Sequence, residues 1–184
     1  MDEIPCFYQM YGETMAEEYA RPSHELYQQL ERGCARSEFQ FLTHEKIEAM
    51  LDNQGGVEFP DFMNYEQIPL ISDKFHDILN YAGIDNLFYK PIIFQDSIMG
   101  IMERYWLALP PRIRCLNYRA SLFQDARSPL PRAEKIVVNP SKVGNYQIFC
   151  IEEVINRDII VTQALKEIIE KNYLTNVYFK LLEE

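Results

Sequence analysis

Two stretches of the sequence share one pattern, and together they decide the fold. They are ISDKFHDILNYAGIDNLFYKPI at residues 71–92 and VTQALKEIIEKNYLTNVYFKLL at residues 161–182, which align without a gap at a constant offset of 90. Each stretch reads as an extended segment, a hydroxyl residue suited to cap a helix, an amphipathic helix, an asparagine turn and a strand. An internal duplication and two generic β–α–β units both explain the match, and either predicts that the two stretches have similar structures.

Both predicted helices have clear starts. In the first stretch the helix begins after Ser72 and ends at Gly83. Its apolar side chains recur at the spacing of one helix face, namely Phe75, Ile78, Leu79 and Ala82. In the second stretch Thr162 caps a helix that runs to about Lys171.

The remaining elements are predicted from the alternation of apolar and polar residues and from the positions of proline and glycine. Helices are expected from Pro22 to about Gly33 and from Thr43 to Leu51. Strands are expected at residues 7–10, 87–94 (with Pro91 marking an edge or a bulge), 101–109, 113–118, 136–138, 146–151, 157–161 and 177–182. This order predicts an α+β fold with a mixed or mainly antiparallel sheet and flanking helices. We expect a helical or irregular N-terminal portion, residues 1–58, packed on an α+β core domain, residues 59–184.

The chain of 184 residues has a net charge of −10, and that charge is unevenly placed. Residues 1–102 hold 18 Asp and Glu against 6 Lys and Arg, whereas residues 103–135 have a net charge of +4. An acidic protein repels nucleic acid and attracts basic partners, although an acidic surface also serves solubility alone.

The basic segment contains seven cations, namely Arg104, Arg112, Arg114, Arg119, Arg127, Arg132 and Lys135. Arginines beside Tyr105, Trp106 and Tyr118 could serve nucleic-acid binding, because such sites combine stacking rings with phosphate ligands. The alternative is an outer strand face whose arginines pair with the acidic remainder of the chain. The acidic total favours that alternative, so nucleic acid is not an expected partner.

Motifs for catalysis, cofactors and metals are absent from the sequence. His24, His44 and His76 are each followed by an acid, but adjacent residues of a helix do not face each other, and no His-Glu-x-x-His pattern occurs. No Gly-x-Ser-x-Gly elbow and no glycine-rich phosphate loop occur either, in a chain with only seven glycines. We therefore expect no catalytic residues, no cofactor and no metal.

Location is predicted from two further features. The four cysteines, Cys6, Cys34, Cys115 and Cys150, are far apart, which is typical of reduced thiols in a cytosolic protein. No run of about 18 apolar residues occurs, and the first residues lack the cations of a secretory signal. The sequence predicts a cytoplasmic protein that does not enter a membrane.

From Phe59 onward an ordered series of short motifs carries a family resemblance. The series is Pro60-Asp61-Phe62, Leu70-Ile71-Ser72, Gly83-Ile84-Asp85-Asn86, Tyr89-Lys90-Pro91, Tyr105-Trp106-Leu107, Cys115-Leu116-Asn117 with Ser121, Ile148-Phe149, Val161-Thr162 and Val177-Tyr178-Phe179. In this order the motifs resemble immunity family eleven, one of the bacterial immunity protein families of polymorphic toxin systems. The resemblance covers about two-thirds of the chain.

The resemblance implies a cytoplasmic protein that binds and neutralises a cognate toxin without catalysis. A basic toxin such as a nuclease would suit the acidic charge. The surface expected to contact it holds Glu45, Glu48, Asp52, Glu58, Asp61 and Glu66. Two alternatives from other classes are a hydrolase that uses scattered carboxylates and an oligomeric scaffold or regulatory protein.

Overall fold

The strand–helix–strand pattern of both stretches is present in the structure, a computed structural model that describes residues 5–13, 16–36, 42, 47–52, 54–65, 67–96 and 100–182. The chain divides into two compact units. Unit 1 comprises residues 1–11, 110–171 and 178–184, and unit 2 comprises residues 12–109 and 172–177. The fold is α+β, as predicted, with mixed and antiparallel sheets and flanking helices.

The described residues form three α-helices and twelve strands. The helices are α1 (His24–Arg36), α2 (Asp73–Tyr81) and α3 (Gln163–Lys171). The strands are β1 (Phe7–Tyr11), β2 (Ile47–Met50), β3 (Phe62–Tyr65), β4 (Ile68–Ser72), β5 (Phe88–Asp96), β6 (Ile101–Leu109), β7 (Arg112–Ile113), β8 (Leu122–Phe123), β9 (Ala133–Lys135), β10 (Ile148–Ile151), β11 (Ile159–Thr162) and β12 (Tyr178–Leu181).

Unit 2 is built on a sheet with the strand order β2-β5-β6-β4-β3. On one face α1 packs through Leu26 and Leu30, which join a core cluster with Leu70 and Leu107. Trp106, which alternates with Leu107 along β6, belongs to the opposite face and stacks on His76 of α2. The two helices therefore cover the two faces of this sheet.

Unit 1 is built on a sheet with the strand order β12-β1-β11-β10-β7, in which β10 and β7 are parallel. Helix α3 covers one face, where Lys166 lies over the Tyr8 ring. A core cluster that includes Phe7, Phe149 and Ile160 also takes in residues of the long segment after β7. That segment carries the small β8–β9 hairpin and a 3-10 turn at Pro140–Lys142.

The two units repeat one arrangement. Helices α2 and α3 have nine residues each and lie 90 residues apart, as do the first residues of β5 and β12. In unit 2 the antiparallel strand β6 lies between β4 and β5, and in unit 1 the antiparallel strand β1 lies between β11 and β12. The central strand follows the β–α–β segment in unit 2 but precedes it in unit 1.

The pairing registers show which residues of the two central strands are equivalent. Lys90 lies opposite Leu107, and its counterpart Lys180 lies opposite Gln9. The other neighbours of each central strand agree, because Ile71 lies opposite Trp106 and Val161 lies opposite Tyr8. Residues 105–109 of β6 therefore correspond to residues 7–11 of β1.

Side-chain packing repeats as well. The His76 ring stacks on Trp106 at a centroid distance of 4.3 Å and meets Tyr89 edge-on at 4.6 Å. At the corresponding place in unit 1 the Lys166 ammonium lies 5.1 Å from the Tyr8 ring centroid and 5.6 Å from that of Phe179. A polar helix residue thus covers two rings in each unit.

The helix caps are those that the sequence predicts. The Phe75 amide donates to Ser72 Oγ at 3.1 Å, and the Leu165 amide donates to Thr162 Oγ1 at 3.4 Å. Beyond the two helices, corresponding positions are left-handed: Gly83 has φ 75° and Tyr173 has φ 49°. Glycine adopts this conformation without strain, whereas a residue with a Cβ is strained in it.

The helix predicted from Thr43 to Leu51 is wrong in its described part. Ile47–Met50 is the strand β2, in which Ile47 and Ala49 are buried while Glu48 and Met50 are exposed. This alternation reflects pairing with β5, a distant strand that the local pattern cannot reveal. Thr43 lies outside the described residues.

Three strand predictions also need correction. Of the strand expected at residues 113–118, only its first residue lies in a strand, β7, and the strand expected at 136–138 is replaced by β9 just before it. Short bridges replace the missing pairings, such as Leu116 with Val138. Pro91 does not mark an edge strand, because β5 lies between β2 and β6, and the described part of β2 begins opposite the next residue, Ile92. It does not mark a bulge either, because the pairing of β5 with β6 continues through Pro91 without a register shift.

The division expected between residues 58 and 59 differs from the observed one. That position lies inside unit 2, because β2 pairs with β5 and so belongs to the same sheet as the later strands. Residues 7–11 are not peripheral either, since they form β1, which is flanked by β11 and β12.

We expect Gly83→Ala to lower the free energy of unfolding by about 1 kcal/mol, because alanine is strained at φ 75°. A Cβ at this position would contact nothing within 4 Å, so the loss would report backbone conformation alone. Urea denaturation measures it. An unchanged midpoint would contradict the left-handed position after α2.

Candidate functional site

Two segments of unit 2 that carry acidic residues lie side by side. Backbone hydrogen bonds join the segment after residue 17 to the segment that follows β2: the Glu58 amide donates to the Glu18 carbonyl at 3.0 Å, and the Asp52 amide donates to the Arg21 carbonyl at 2.9 Å. We call the surface formed by these two segments and the adjoining strand β2 the acidic corner, and its acidic residues are Glu17, Glu18, Glu48, Asp52 and Glu58.

Glycine makes the close approach of these two segments possible. A Cβ at Gly56 would collide with the backbone of Glu18 and with the Glu17 carbonyl. The Gly56 amide donates to the Tyr19 carbonyl at 2.8 Å, which fixes the segments in contact. A side chain at this position would therefore separate Glu17 and Glu18 from Glu58.

The acidic corner also displays apolar side chains. Four of its acids, Glu17, Glu18, Glu48 and Glu58, are exposed, and Asp52 is half-buried. Beside them, Met50 is 51% exposed and Val57 is 74% exposed. Exposed apolar groups surrounded by charged ones are typical of surfaces that bind another protein.

The structure brings together only part of the predicted contact surface. Glu48, Asp52 and Glu58 lie in the acidic corner, whereas Glu45 and Glu66 lie outside the described residues. The sequence reasoning missed Glu17 and Glu18. The pair Gly55-Gly56 was a usable signal for the close approach that places them there, but it does not identify the segment that approaches.

Asp61 has a different environment from the other predicted contact residues. Its side chain is only 13% exposed and accepts hydrogen bonds from Ser72 Oγ at 2.6 Å and from the Thr175 amide at 2.9 Å. Lys74 Nζ lies 3.7 Å from the same carboxylate. Asp61 thus links the cap of α2 to residues 172–177 of unit 2.

The net charge belongs to one unit. Unit 2 contains 17 Asp and Glu against 7 Lys and Arg, whereas unit 1 contains 11 of each. All of the net charge of −10 therefore resides in unit 2, the unit that carries the acidic corner.

Two arginines of the basic segment pair with acids, as predicted for an outer face. In unit 2 the Arg104 guanidinium makes a bidentate contact with Asp73, and this hydrogen bonding lowers the pKa of the Asp73 carboxyl. In unit 1 Arg114 donates to Glu152 Oε1 at 3.0 Å. These pairs reduce the charge available to a phosphate backbone.

The two buried thiols of unit 1, Cys115 and Cys150, are poor nucleophiles. Cys115 and Cys150 are free and buried, and burial raises the pKa of each to about 12. Cys6 is exposed. A thiol whose pKa lies this high is protonated at neutral pH and does not attack carbon.

One carboxylate of unit 1 is held in a largely buried place. Asp158 accepts hydrogen bonds from Gln9 Nε2 at 2.8 Å and from Asn156 Nδ2 at 3.2 Å. Burial raises the pKa of this carboxyl above its ordinary value, and the two amide donors oppose that shift. Asp158 could not be identified from the sequence, because Gln9 lies 149 residues away and Asn156 is an ordinary amide two residues away.

The described part of the chain lacks two further kinds of feature. No group of three or more His, Cys, Asp or Glu side chains there is arranged to hold a metal ion. None of the helices described has the length and apolar character needed to cross a bilayer.

Neither any protein-family model nor any curated protein matches this sequence. The resemblance to immunity family eleven therefore rests on the ordered motifs that carry it.

We expect Asp61→Ala to lower the free energy of unfolding by about 2–4 kcal/mol, because hydrogen bonds to a mostly buried carboxylate are lost and their donors remain. Glu58→Ala is the control, since Glu58 is an exposed acid of the same segment and should change stability by less than about 0.5 kcal/mol. Urea denaturation of both variants compares them. Equal effects would contradict the structural role of Asp61.

Asp158 gives a pH-dependent expectation. Because its folded pKa is raised, the protonated form is favoured in the folded state, and the stability that this contributes is lost as pH rises above the ordinary value of 3.8. Asp158→Asn cannot titrate. The stability of the variant relative to wild type should therefore increase from below pH 4 towards neutrality, as measured by urea denaturation at several pH values. A difference that stays constant with pH would contradict the raised pKa.

Proposed function

We propose that this chain is an immunity protein that binds a basic protein toxin and neutralises it by contact, without catalysis. The observation that carries the proposal is the distribution of charge. All of the net charge of −10 belongs to unit 2, and unit 1 is neutral. A charge needed only for solubility has no reason to be confined to one unit.

An acidic net charge that belongs to one unit suits an inhibitor of a basic enzyme. A toxin that acts on nucleic acid must present a positive groove to phosphates, and a carboxylate surface can occupy that groove. Electrostatic attraction also speeds the encounter, which matters when the toxin must be stopped before it acts.

The acidic corner is the surface that we propose for this contact. Its exposed carboxylates would meet the basic residues of the toxin, and the exposed Met50 and Val57 would supply apolar area at the centre of the contact. Its backbone is fixed by hydrogen bonds before binding, so little order has to be gained when the complex forms.

The remaining parts of the proposal follow from the resemblance to immunity family eleven. The protein would act in the cytoplasm, where it meets the toxin before export or after entry. The hydrolase and the oligomeric scaffold are the competing functions. Neither requires a stoichiometric complex with the product of a neighbouring gene, so such a complex distinguishes the three.

The test is co-expression with the product of the neighbouring open reading frame, inactivated where it is toxic. We expect a stable complex of wild-type protein, rescue of growth, and a Kd that weakens between about 50 mM and about 300 mM salt. In the double variant Glu48→Lys, Glu58→Lys the Kd should weaken at least about tenfold at the lower salt, because two attractive contacts become repulsive.

The control is the double variant Glu134→Lys, Glu167→Lys. It makes the same change in total charge at two exposed acids of unit 1, and its Kd should change by less than about threefold. Equal weakening of both variants would refute the acidic corner as the contact. The absence of a complex with any neighbouring gene product would refute the proposed function.

A further inference from the structure

Unit 1 contains a polar pocket that the proposed toxin contact does not use. Its volume is about 390 Å³, within the range of pockets that hold small molecules. The polar residues around it are Gln9, Glu134, Lys135, Asn156, Asp158 and Lys180. Apolar walls are supplied by residues such as Ile136 and Leu182.

The carboxylate of Asp158 is the central feature of this pocket. Both of its hydrogen-bond donors, Gln9 and Asn156, are uncharged amides. Among the described residues no lysine or arginine nitrogen forms an ion pair with it, and Lys180 and Arg132 act on it only through longer-range attraction. A largely buried negative charge without a contacting cation is unfavourable for the fold alone.

Asn156 holds the pocket in shape. Its amide clamps the backbone of Ala133, accepting from the Ala133 amide at 2.8 Å and donating to the Ala133 carbonyl at 3.2 Å. The same amide group donates to Asp158. One side chain therefore fixes both the start of β9 and the carboxylate, which makes the pocket preformed.

Comparison of the two units shows that the fold does not require these polar groups. The residue of unit 2 that corresponds to Gln9 is Leu107, and the one that corresponds to Asp158 is Ile68. Leu107 is 0% exposed and Ile68 is 1% exposed, and both belong to the apolar core of unit 2. The same place is thus filled with hydrocarbon in one unit and lined with an amide and a carboxylate beside a cavity in the other.

We infer that this pocket binds a small zwitterion, a compact molecule with a primary ammonium group and an anionic group. The ammonium would donate to Asp158 and replace the missing cation. The anionic group would lie towards Lys180 at the pocket wall. The site belongs to the neutral unit, so it is independent of the proposed toxin contact.

The experiment compares three probes that share a four-carbon chain: 4-aminobutyrate, butylammonium and butyrate. Binding to the full-length protein is measured by isothermal titration calorimetry at neutral pH and low salt. We expect saturable binding of 4-aminobutyrate with a Kd of about 1 mM or tighter, weaker binding of butylammonium, and none of butyrate.

Two variants and one control locate the site. Asp158→Asn should weaken 4-aminobutyrate binding at least about tenfold, because the amide cannot pair with an ammonium group. The double variant Gln9→Leu, Asp158→Ile copies the residues of unit 2; it should stay folded by circular dichroism and lose binding. Asp125→Asn removes a carboxylate from an exposed turn of unit 1 and should bind as wild type does.

Three outcomes would overturn the inference: no saturable binding of any probe, butyrate binding as tightly as 4-aminobutyrate, or undiminished binding by Asp158→Asn. None of them bears on the complex with the toxin, so the two proposals fail separately.

Discussion

The constraint on which the structure depends is the strand that lies between the two strands of each β–α–β segment. The two parallel strands that each helix connects are not paired with each other, because one antiparallel strand lies between them, β6 in unit 2 and β1 in unit 1. Unit 2 takes this strand from the residues that follow β5. Unit 1 takes it from residues 7–11, so its sheet can be completed only after residues 159–181 have been synthesised and have paired with them.

Because of this difference, strand β1 is more important for the sheet of unit 1 than its short sequence suggests. A strand of five residues with both edges paired contributes two sets of backbone hydrogen bonds, and its loss would expose the edges of β11 and β12 together. Strand pairing over more than 140 residues leaves no local trace. Sequence periodicity can find β1 but cannot assign it a central place.

The sequence was most informative where structure is local. Both helices of the repeat end within two residues of the predicted positions, because hydroxyl caps, apolar spacing and the residue after the helix act within a few turns. It failed where a distant partner decides. Ile47, Met50 and Leu51 fit a helix face, but pairing with β5 makes Ile47–Met50 a strand. The candidate site shows the same limit, since Glu48 and Glu58 were identifiable as acids but Glu17 and Glu18 joined them through backbone bonds.

Acidic residues of similar appearance in the sequence have three different environments. Four of the five acids of the acidic corner are exposed. Asp61 accepts a hydrogen bond from the cap residue Ser72, and Asp73 accepts from Arg104. Asp158 lies beside a pocket. Formal charge cannot separate these cases, because it does not record which donors surround a carboxylate. Comparison of equivalent positions in the two units can distinguish these environments. Where one unit has Ile68 and the other has Asp158 at the same position of the same topology, the fold tolerates hydrocarbon, and the carboxylate needs a reason beyond folding. One arrangement of strands thus supports an acidic outer surface in unit 2 and a polar pocket beside the apolar core of unit 1, and the specialisation of each unit lies in its side chains.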